Sequence, residues 1–254
     1  MADALIGSTG FIGGNLARQH RFDDCYSSAN IESIGGRHYR LIACAGAPGR
    51  KWLANREPQA DRQSIERLIH ALERAEAEQV VLISTVDVYP VPVGVDEGSA
   101  IDNSRNEPYG QHRRLLEEFV QARFEATVLR LPALFGPGLK KNVVYDFLHG
   151  NRVELIHPAS TFQFYDLGEL WRDIARVREA GIPLVNFATE PISVREIARE
   201  VFDFRFENPG NPLEVHYDFR TRYAQQLSGR GHYLRDKAAV LEAMVRFVGE
   251  ERAR

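Results

Sequence analysis

Short apolar runs alternate with helical patterns through the first half of the chain. Ala4-Leu5-Ile6, Leu41-Ile42-Ala43-Cys44, Val80-Val81-Leu82-Ile83 and Thr127-Val128-Leu129-Arg130-Leu131 are too brief for helices. Their nearly unbroken apolarity is what a parallel strand covered on both faces requires. Asp24-Cys25-Tyr26-Ser27-Ser28 is a weaker strand candidate between the first two. Between the strands, Ile65, Leu68, Ile69 and Leu72 recur at i, i+3, i+4, i+7. Leu115, Leu116, Phe119 and Val120 form a second apolar stripe, with charged residues on the other face. Strand–helix–strand repetition implies right-handed crossovers, hence an α/β fold with a doubly wound parallel sheet.

Regularity weakens after Gly136-Pro137-Gly138. Pro158, Pro183 and Pro191 punctuate short elements, among them a strand at Leu184-Val185-Asn186-Phe187-Ala188. Ser193 reads as an N-cap for a helix from Val194 to Phe202, with Glu196 completing a capping box. Residues 205–232, rich in Arg, Gly, Pro and Asn, read as an irregular loop. A last amphipathic helix runs from Asp236 to Glu251, with Val240, Leu241, Met244 and Phe247 on one face. Neither a repeat nor a clean linker interrupts the chain. Residues 1–254 are therefore expected to form a single domain, with a small lobe made mainly by segments after residue 135.

Composition narrows the class. The 254 residues are 44% hydrophobic and 26% charged, an ordinary globular balance. Thirty-five acids against 32 bases leave a net charge of −3, which gives no reason to expect nucleic acid or an anionic membrane as partner. Cys25 and Cys44 are too few for a disulfide framework and fall in stretches that read as buried strands, which suits a reducing compartment. Met1-Ala2-Asp3-Ala4-Leu5-Ile6 lacks the basic and apolar regions of a signal peptide. No uncharged stretch approaches the roughly 20 residues needed to span a bilayer. The expected location is the cytoplasm.

Candidate chemistry begins at Gly7-Ser8-Thr9-Gly10-Phe11-Ile12-Gly13, which leaves the first strand and opens the first helix. Glycines there allow a tight turn and close approach of a pyrophosphate, while the helix N-terminus offers N–H groups and a positive dipole end. The G-x-x-G-x-x-G spacing with Phe11-Ile12-Gly13 resembles the extended short-chain dehydrogenases/reductases, which include nucleotide-sugar epimerases, dehydratases and reductases. The resemblance implies a Rossmann fold and NAD or NADP held by Gly7, Thr9, Gly10, Phe11, Ile12 and Gly13. The end of the second strand, which discriminates the two cofactors, offers Ser27, Ser28 and Asn30 but neither an acid nor an arginine. Ser27 joins the candidate cofactor contacts, and the choice between NAD and NADP stays open.

Two further segments carry the resemblance. Tyr109-Gly110-Gln111-His112-Arg113 is similar to the family's Tyr-x-x-x-Lys, in which tyrosine exchanges a proton with substrate and lysine binds the nicotinamide ribose. Arg113 replaces that lysine: it keeps the charge but does not release a proton near neutral pH. Leu82-Ile83-Ser84-Thr85-Val86-Asp87-Val88-Tyr89 resembles the family's catalytic strand, which makes Thr85 the substrate-binding hydroxyl and Ser84 a cofactor neighbour. The resemblance thus implies Thr85, Tyr109 and Arg113 as catalytic, with Tyr109 and Arg113 also touching cofactor. The family's 4,6-dehydratases carry Thr-Asp-Glu-Val-Tyr; with Val86 after Thr85, this chain lacks one of the two carboxyls for the elimination, which argues against that reaction.

Leu129-Arg130-Leu131-Pro132-Ala133-Leu134-Phe135-Gly136-Pro137-Gly138 is similar to Leu-Arg-x-x-Asn-Val-Tyr-Gly-Pro, with Ala133 at the Asn position. Lys140 and Lys141 follow as candidate pyrophosphate contacts, and Asp87 as a candidate substrate contact. The family's Asn in the helix before the catalytic strand has no clear equivalent; Asp61 lies nearest. The eight histidines show no metal-ligand spacing, so no metal is expected. The resulting expectation is an NAD(P)-dependent epimerase or reductase acting on a hydroxyl or keto carbon of a nucleotide sugar, with a homodimer allowed for. Arg113, Ala133 and the small lobe also fit a non-catalytic NAD(P)-binding regulatory or assembly protein, which would need neither Thr85 nor Tyr109.

Overall fold

The computed structural model describes residues 1–208, 210 and 213–254. In chain order, β1 (Ala2–Ile6) leads to α1 (Phe11–Gln19), β2 (Asp24–Tyr26), β3 (His38–Cys44), α2 (Lys51–Arg56) and α3 (Pro58–Glu73). There follow β4 (Glu76–Thr85), α4 (Pro108–Arg123), β5 (Ala126–Leu131), β6 (Ala133–Phe135) and α5 (Val143–His149). The rest comprises β7 (Thr161–Phe162), β8 (Phe164–Asp166), α6 (Leu170–Glu179), β9 (Leu184–Asn186), β10 (Ile192–Ser193), α7 (Val194–Phe202) and α8 (Lys237–Arg252). The chain divides into two compact units.

The first unit takes Met1–Val91, Gly98–Arg130 and Leu170–Val185. Its sheet runs β2-β1-β3-β4-β5-β9. β1 pairs in parallel with β2, Ala4 opposite Asp24, and with β3, Ala4 opposite Ile42. β3 continues in parallel to β4, with Ile42 opposite Val80. β2 and β3 thus leave β1 on opposite sides, and the glycine turn emerges at that switch in direction, where open α/β sheets bind ligands. Ile65, Leu68 and Leu72 of α3 and Leu116 and Val120 of α4 are buried in one core cluster with Ala4, Ile6, Ile42 and Leu82. Each buried side chain of this size contributes about 1.5–3 kcal/mol. The two periodic stripes are these helix faces.

Three details differ from the sequence expectation. β4 starts at Glu76, four residues before its apolar run, because Glu76 and Ala77 still pair with His38 and Tyr39 of β3. β2 keeps only three residues, and its Cys25 is exposed rather than buried. β2 ends the sheet's order on that side, whereas the standard doubly wound order carries two strands beyond the first. The connection to β3 holds one 3-10 turn, Ile31–Ile34, whose two isoleucines are buried. Cys44, by contrast, is buried, which pushes its thiol pKa up to about 11.

The second unit takes Pro92–Glu97, Leu131–Glu169 and Asn186–Arg254. β6 pairs in parallel with β8, and β7 antiparallel with β10. Phe135, Phe164, Val194, Ile197, Met244 and Phe247 share its core. The Ser193 hydroxyl accepts from the Glu196 N–H and the Glu196 side chain returns a bond to the Ser193 backbone, so the capping box forms as expected. Asp236 caps α8 by accepting from the Ala239 N–H at 2.8 Å. Described residues between 205 and 232 form turns and isolated bridges; the loop expected there also includes residues 209, 211 and 212, which lie outside the described residues. No helix among the described residues is long and apolar enough to cross a membrane.

Candidate active site

The glycine turn divides its three glycines between two tasks. Gly7 has φ +85°, and a Cβ there would lie 2.3 Å from the Ala45 carbonyl oxygen. A Cβ on Gly13 would lie 2.1 Å from the Gly7 oxygen. Both glycines are demanded by neighbouring backbone. Gly10 is not: its Cβ would find the Gly7 oxygen at 3.2 Å and nothing nearer. Gly10 is the N-cap of α1 and gives its first turn no side-chain hydrogen bond. Thr9 and Gly10 are exposed, while Phe11 and Ile12 open the helix half-buried. An uncapped helix N-terminus behind an exposed glycine is a fit for a dinucleotide pyrophosphate. The turn is tied to β2 by the Gly7 and Ser8 N–H groups and the Ser8 hydroxyl, which all donate to the Tyr26 carbonyl.

Tyr109 sits in the first turn of α4, after Pro108, whose missing N–H costs nothing at that position. The Tyr109 N–H would be one of the helix's orphan donors; it donates instead to Asn55 Oδ1 of α2 at 3.0 Å. Gly110 lets this turn approach the segment that follows β4. A Cβ there would lie 2.1 Å from the Asp87 carbonyl oxygen and 2.3 Å from Asn106 Nδ2. Asn106 in turn donates to the Asp87 and Val88 carbonyls at 3.0 and 2.8 Å. This close seam brings the Thr85 side chain near enough to the Tyr109 phenol to influence its ionisation.

Tyr109 is only 8% exposed, and its surroundings set its ionisation. Burial is the strongest influence and raises the phenol pKa; the Arg113 charge opposes it, Asp87 adds to it, and Lys51 and the Thr85 hydrogen bond oppose it. The balance is a raised pKa, so the phenol is held protonated at neutral pH and suited to give a proton to an oxygen gaining negative charge. Thr85 Oγ1 also accepts from the Asp87 N–H at 3.2 Å, and Lys51 Nζ pairs with Asp87 Oδ1 at 2.9 Å.

The other candidates divide. Asp87 stands beside Thr85, with its N–H on Thr85 Oγ1. The Arg113 fork is engaged within the protein. Its two terminal nitrogens bind both oxygens of Asp61, one at 2.9 Å, and one of them also donates to the Pro48 carbonyl. Its carbon centre stacks over the Tyr109 ring at 3.9 Å from the centroid. Asp61 further accepts from His112 Nδ1 at 2.7 Å. The Ser84 hydroxyl donates at 2.6 Å to Glu117, which is fully buried and bound to Arg130. Buried charges demand such partners, and side chains distant along the chain supply them.

Ser27 closes its own turn, with its N–H donating to Asn30 Oδ1 at 2.6 Å and its hydroxyl to the same oxygen at 3.2 Å. Val86 is 3% exposed, so the position that carries a carboxyl in 4,6-dehydratases is packed in the interior. Lys140 and Lys141 are exposed on the loop between β6 and α5 of the second unit. Sequence reasoning missed Lys51, Asn55, Asn106 and Gly110. Only Gly110 carried any signal, a glycine in the first turn of a helix, where it lowers helix propensity without evident local reason.

A switch-point glycine turn ahead of an uncapped helix, with a threonine at the end of β4 facing a tyrosine of α4, defines a Rossmann-type dinucleotide-binding protein. The sequence matches the NAD dependent epimerase/dehydratase family over residues 39–180, more than half its length, and the chain belongs to that family. No curated protein matches it. Among solved structures, MoeE5 in complex with UDP-glucose and NAD superposes with a TM-score of 0.74 at 16% identity, covering 100% of this chain and 99% of the other. The UDP-glucose 4-epimerase of Thermotoga maritima with UDP-glucose gives the same values. TunA, an NAD dependent NDP-hexosamine 5,6-dehydratase, gives 0.72 at 19% with the same coverage. These likenesses establish the fold over the whole chain.

Proposed function

We propose that this protein is an NAD(P)-dependent oxidoreductase or epimerase acting on a hydroxyl or keto carbon of a nucleotide-linked sugar. The observation that carries the reading is the meeting of the Thr85 hydroxyl and the buried Tyr109 phenol on the sheet that bears the glycine turn. Gly7, Gly10 and Gly13 with the first turn of α1 hold the pyrophosphate, and the family membership makes NAD the expected form. A bound nicotinamide supplies a hydride acceptor or donor. Tyr109 exchanges the proton of the reacting oxygen, and Thr85 hydrogen-bonds that oxygen and keeps it in line. Asp87 contacts the substrate beside them. Lys140 and Lys141 are offered to the nucleotide diphosphate. Support for a sugar nucleotide comes from MoeE5 and the epimerase, both solved with UDP-glucose.

The test is turnover of UDP- and dTDP-sugars with NAD(H) or NADP(H), together with mass analysis of any copurified nucleotide. Tyr109→Phe removes only the hydroxyl and is expected to lower turnover at least about 10²-fold while cofactor affinity stays level. Retained nucleotide with interconversion of epimers assigns an epimerase; net oxidation of free reduced nucleotide assigns a reductase. Parental turnover in Tyr109→Phe removes Tyr109 from the reaction.

A further inference from the structure

The glycine turn is seated unequally on its two sides. Towards β3, the Ala45 N–H donates to the Ile6 carbonyl at 2.9 Å. Towards β2 the turn hangs on one atom, the Tyr26 carbonyl oxygen. That oxygen takes the Gly7 and Ser8 N–H groups at 2.8 and 3.0 Å and the Ser8 hydroxyl at 3.1 Å. β2 is a poor mount: it has three residues, stands last in the sheet order, and ends at Tyr26. The Tyr26 side chain carries the anchorage that the strand lacks. Its hydroxyl meets the Tyr39 hydroxyl of β3 at 2.6 Å, across the intervening β1, and both residues are buried. Tyr39 gives its one hydroxyl proton to Asp24 Oδ2 at 2.8 Å, and Arg37 donates to the same oxygen at 2.9 Å. Burial pushes the Tyr39 phenol pKa up, so the group stays a donor. With that proton committed, Tyr26 is the donor between the two hydroxyls.

The backbone is shaped to bring Tyr39 to this place. The register of β1 against β3 slips by one residue: Ala2 lies opposite Tyr39, but Asp3 lies opposite Leu41. Side chains alternate between the faces of a sheet, so one extra residue re-aims those before it. Tyr39 therefore shares the core of Ile42 and Cys44, although it lies an odd number of residues from both. Ala2 and Ala4 of β1 belong to the same core, and their small side chains let a ring cross the central strand. We infer that Tyr39 is a positioning residue for dinucleotide binding: through Tyr26 it fixes the carbonyl that holds the backbone of Gly7 and Ser8, and so sets the glycine turn for a pyrophosphate. The inference rests on the proposed role of that turn in holding NAD(P). Arg37 and Asp24 complete the chain of bonds by keeping the Tyr39 proton, and with it the direction of the Tyr26 bond, fixed.

The parent, Tyr39→Phe, Tyr26→Phe and the double variant are compared by calorimetric titration with NAD and NADP and by urea unfolding. Amide hydrogen exchange at Gly7 and Ser8 is followed in the ligand-free proteins. Either single change deletes the same contact between hydroxyls. Each is therefore expected to raise the dissociation constant of the preferred cofactor by a similar factor, about three- to tenfold, the worth of one neutral hydrogen bond. The double variant should bind no more weakly than the singles, because the bond is already gone. Exchange at Gly7 and Ser8 should quicken in all three. Stability should follow a different order. Tyr39→Phe strands the buried Tyr26 donor, whereas Tyr26→Phe leaves the Tyr39 proton on Asp24, so Tyr39→Phe should unfold at the lower urea concentration. A contact that only stabilises the fold would leave affinity at the parental level or make it follow that unequal order. Parental affinity in both single variants, an affinity loss confined to Tyr39→Phe, or unchanged exchange at the two amides overturns the inference. If the parent binds neither NAD nor NADP, the cofactor reading fails instead, and the exchange still decides whether Tyr39 holds the turn.

Discussion

Asp61→Asn is the sharpest perturbation of the site's support. Asp61 and Arg113 are 5% and 3% exposed, so neither charge has water to fall back on. The carboxamide keeps the shape and one acceptor oxygen but removes the negative charge facing the guanidinium. Breaking one side of a buried pair strands the other, at a cost of about 3–5 kcal/mol. Arg113→Met is gentler, because His112 still donates to the Asp61 carboxylate; about 1–3 kcal/mol is expected, the cost of a hydrogen bond lost from a buried group. The double variant removes both charges and should be less destabilised than the two single losses together. Contacting residues show coupling of about 0.5–3 kcal/mol, and the upper end is expected here.

Urea unfolding of the four proteins at pH 7 measures this cycle, and an NAD titration of the folded proteins accompanies it. Arg113→Met should leave cofactor affinity within about 0.5 kcal/mol, as changes away from a binding contact do. A guanidinium donating to a ribose would instead lose about 1.5–3 kcal/mol of binding. The reasoning is refuted by additive single effects below about 0.5 kcal/mol combined with a large loss of NAD affinity. That result would return Arg113 to the cofactor and leave Asp61 with no demand for it.

Two further contrasts follow from the glycines. Gly10→Val should abolish dinucleotide binding and retain most of the fold, because its Cβ meets only the Gly7 oxygen, at 3.2 Å, whereas Gly13→Val should cost folding itself by colliding with that carbonyl at 2.1 Å; calorimetry and circular dichroism separate the two, and equal NAD affinity in Gly10→Val and the parent would make the turn merely structural. Gly110→Ala drives a Cβ into the Asp87 carbonyl and should cost about 1–3 kcal/mol of stability and, by displacing Tyr109 on the scale of an ångström, about 10²-fold in turnover. The control is Gly249→Ala in α8, where nothing lies within 4 Å of the new Cβ; it should stabilise by about 0.5–1 kcal/mol, and a stability loss at Gly249 equal to that at Gly110 would void the contact argument.

The parallel strands were legible because burial on both faces writes continuous apolar runs, and α3 and α4 because one face of each repeats at helical spacing. The charged start of β4 was not, since Glu76–Gln79 is held by its ladder to β3 and not by its own composition. Thr85 and Tyr109 were legible through resemblance, which fixes their order along the chain. Their supports were not. Arg113 meets Asp61 across 52 residues, Tyr109 meets Asn55 across 54, and the demand for glycine at 110 comes from a carbonyl on another element. Lys51 lies in a six-residue helix too short to show a period.

That blindness has a specific consequence for the two departures from the family pattern. Arg113 in place of lysine and Asp61 nearest the family's asparagine look like separate losses when read along the chain, and both weigh toward a protein without turnover. In space each is the other's partner. An arginine fork needs a carboxylate with two oxygens to satisfy it in a buried position, and an amide at 61 would leave one of its donors and its charge unanswered. The pair therefore behaves as one exchange: a lysine that answers to ligand gives way to an ion pair that fixes the ring of Tyr109 from behind. Such an exchange removes mobile charge from α4 without removing the tyrosine or the threonine it meets.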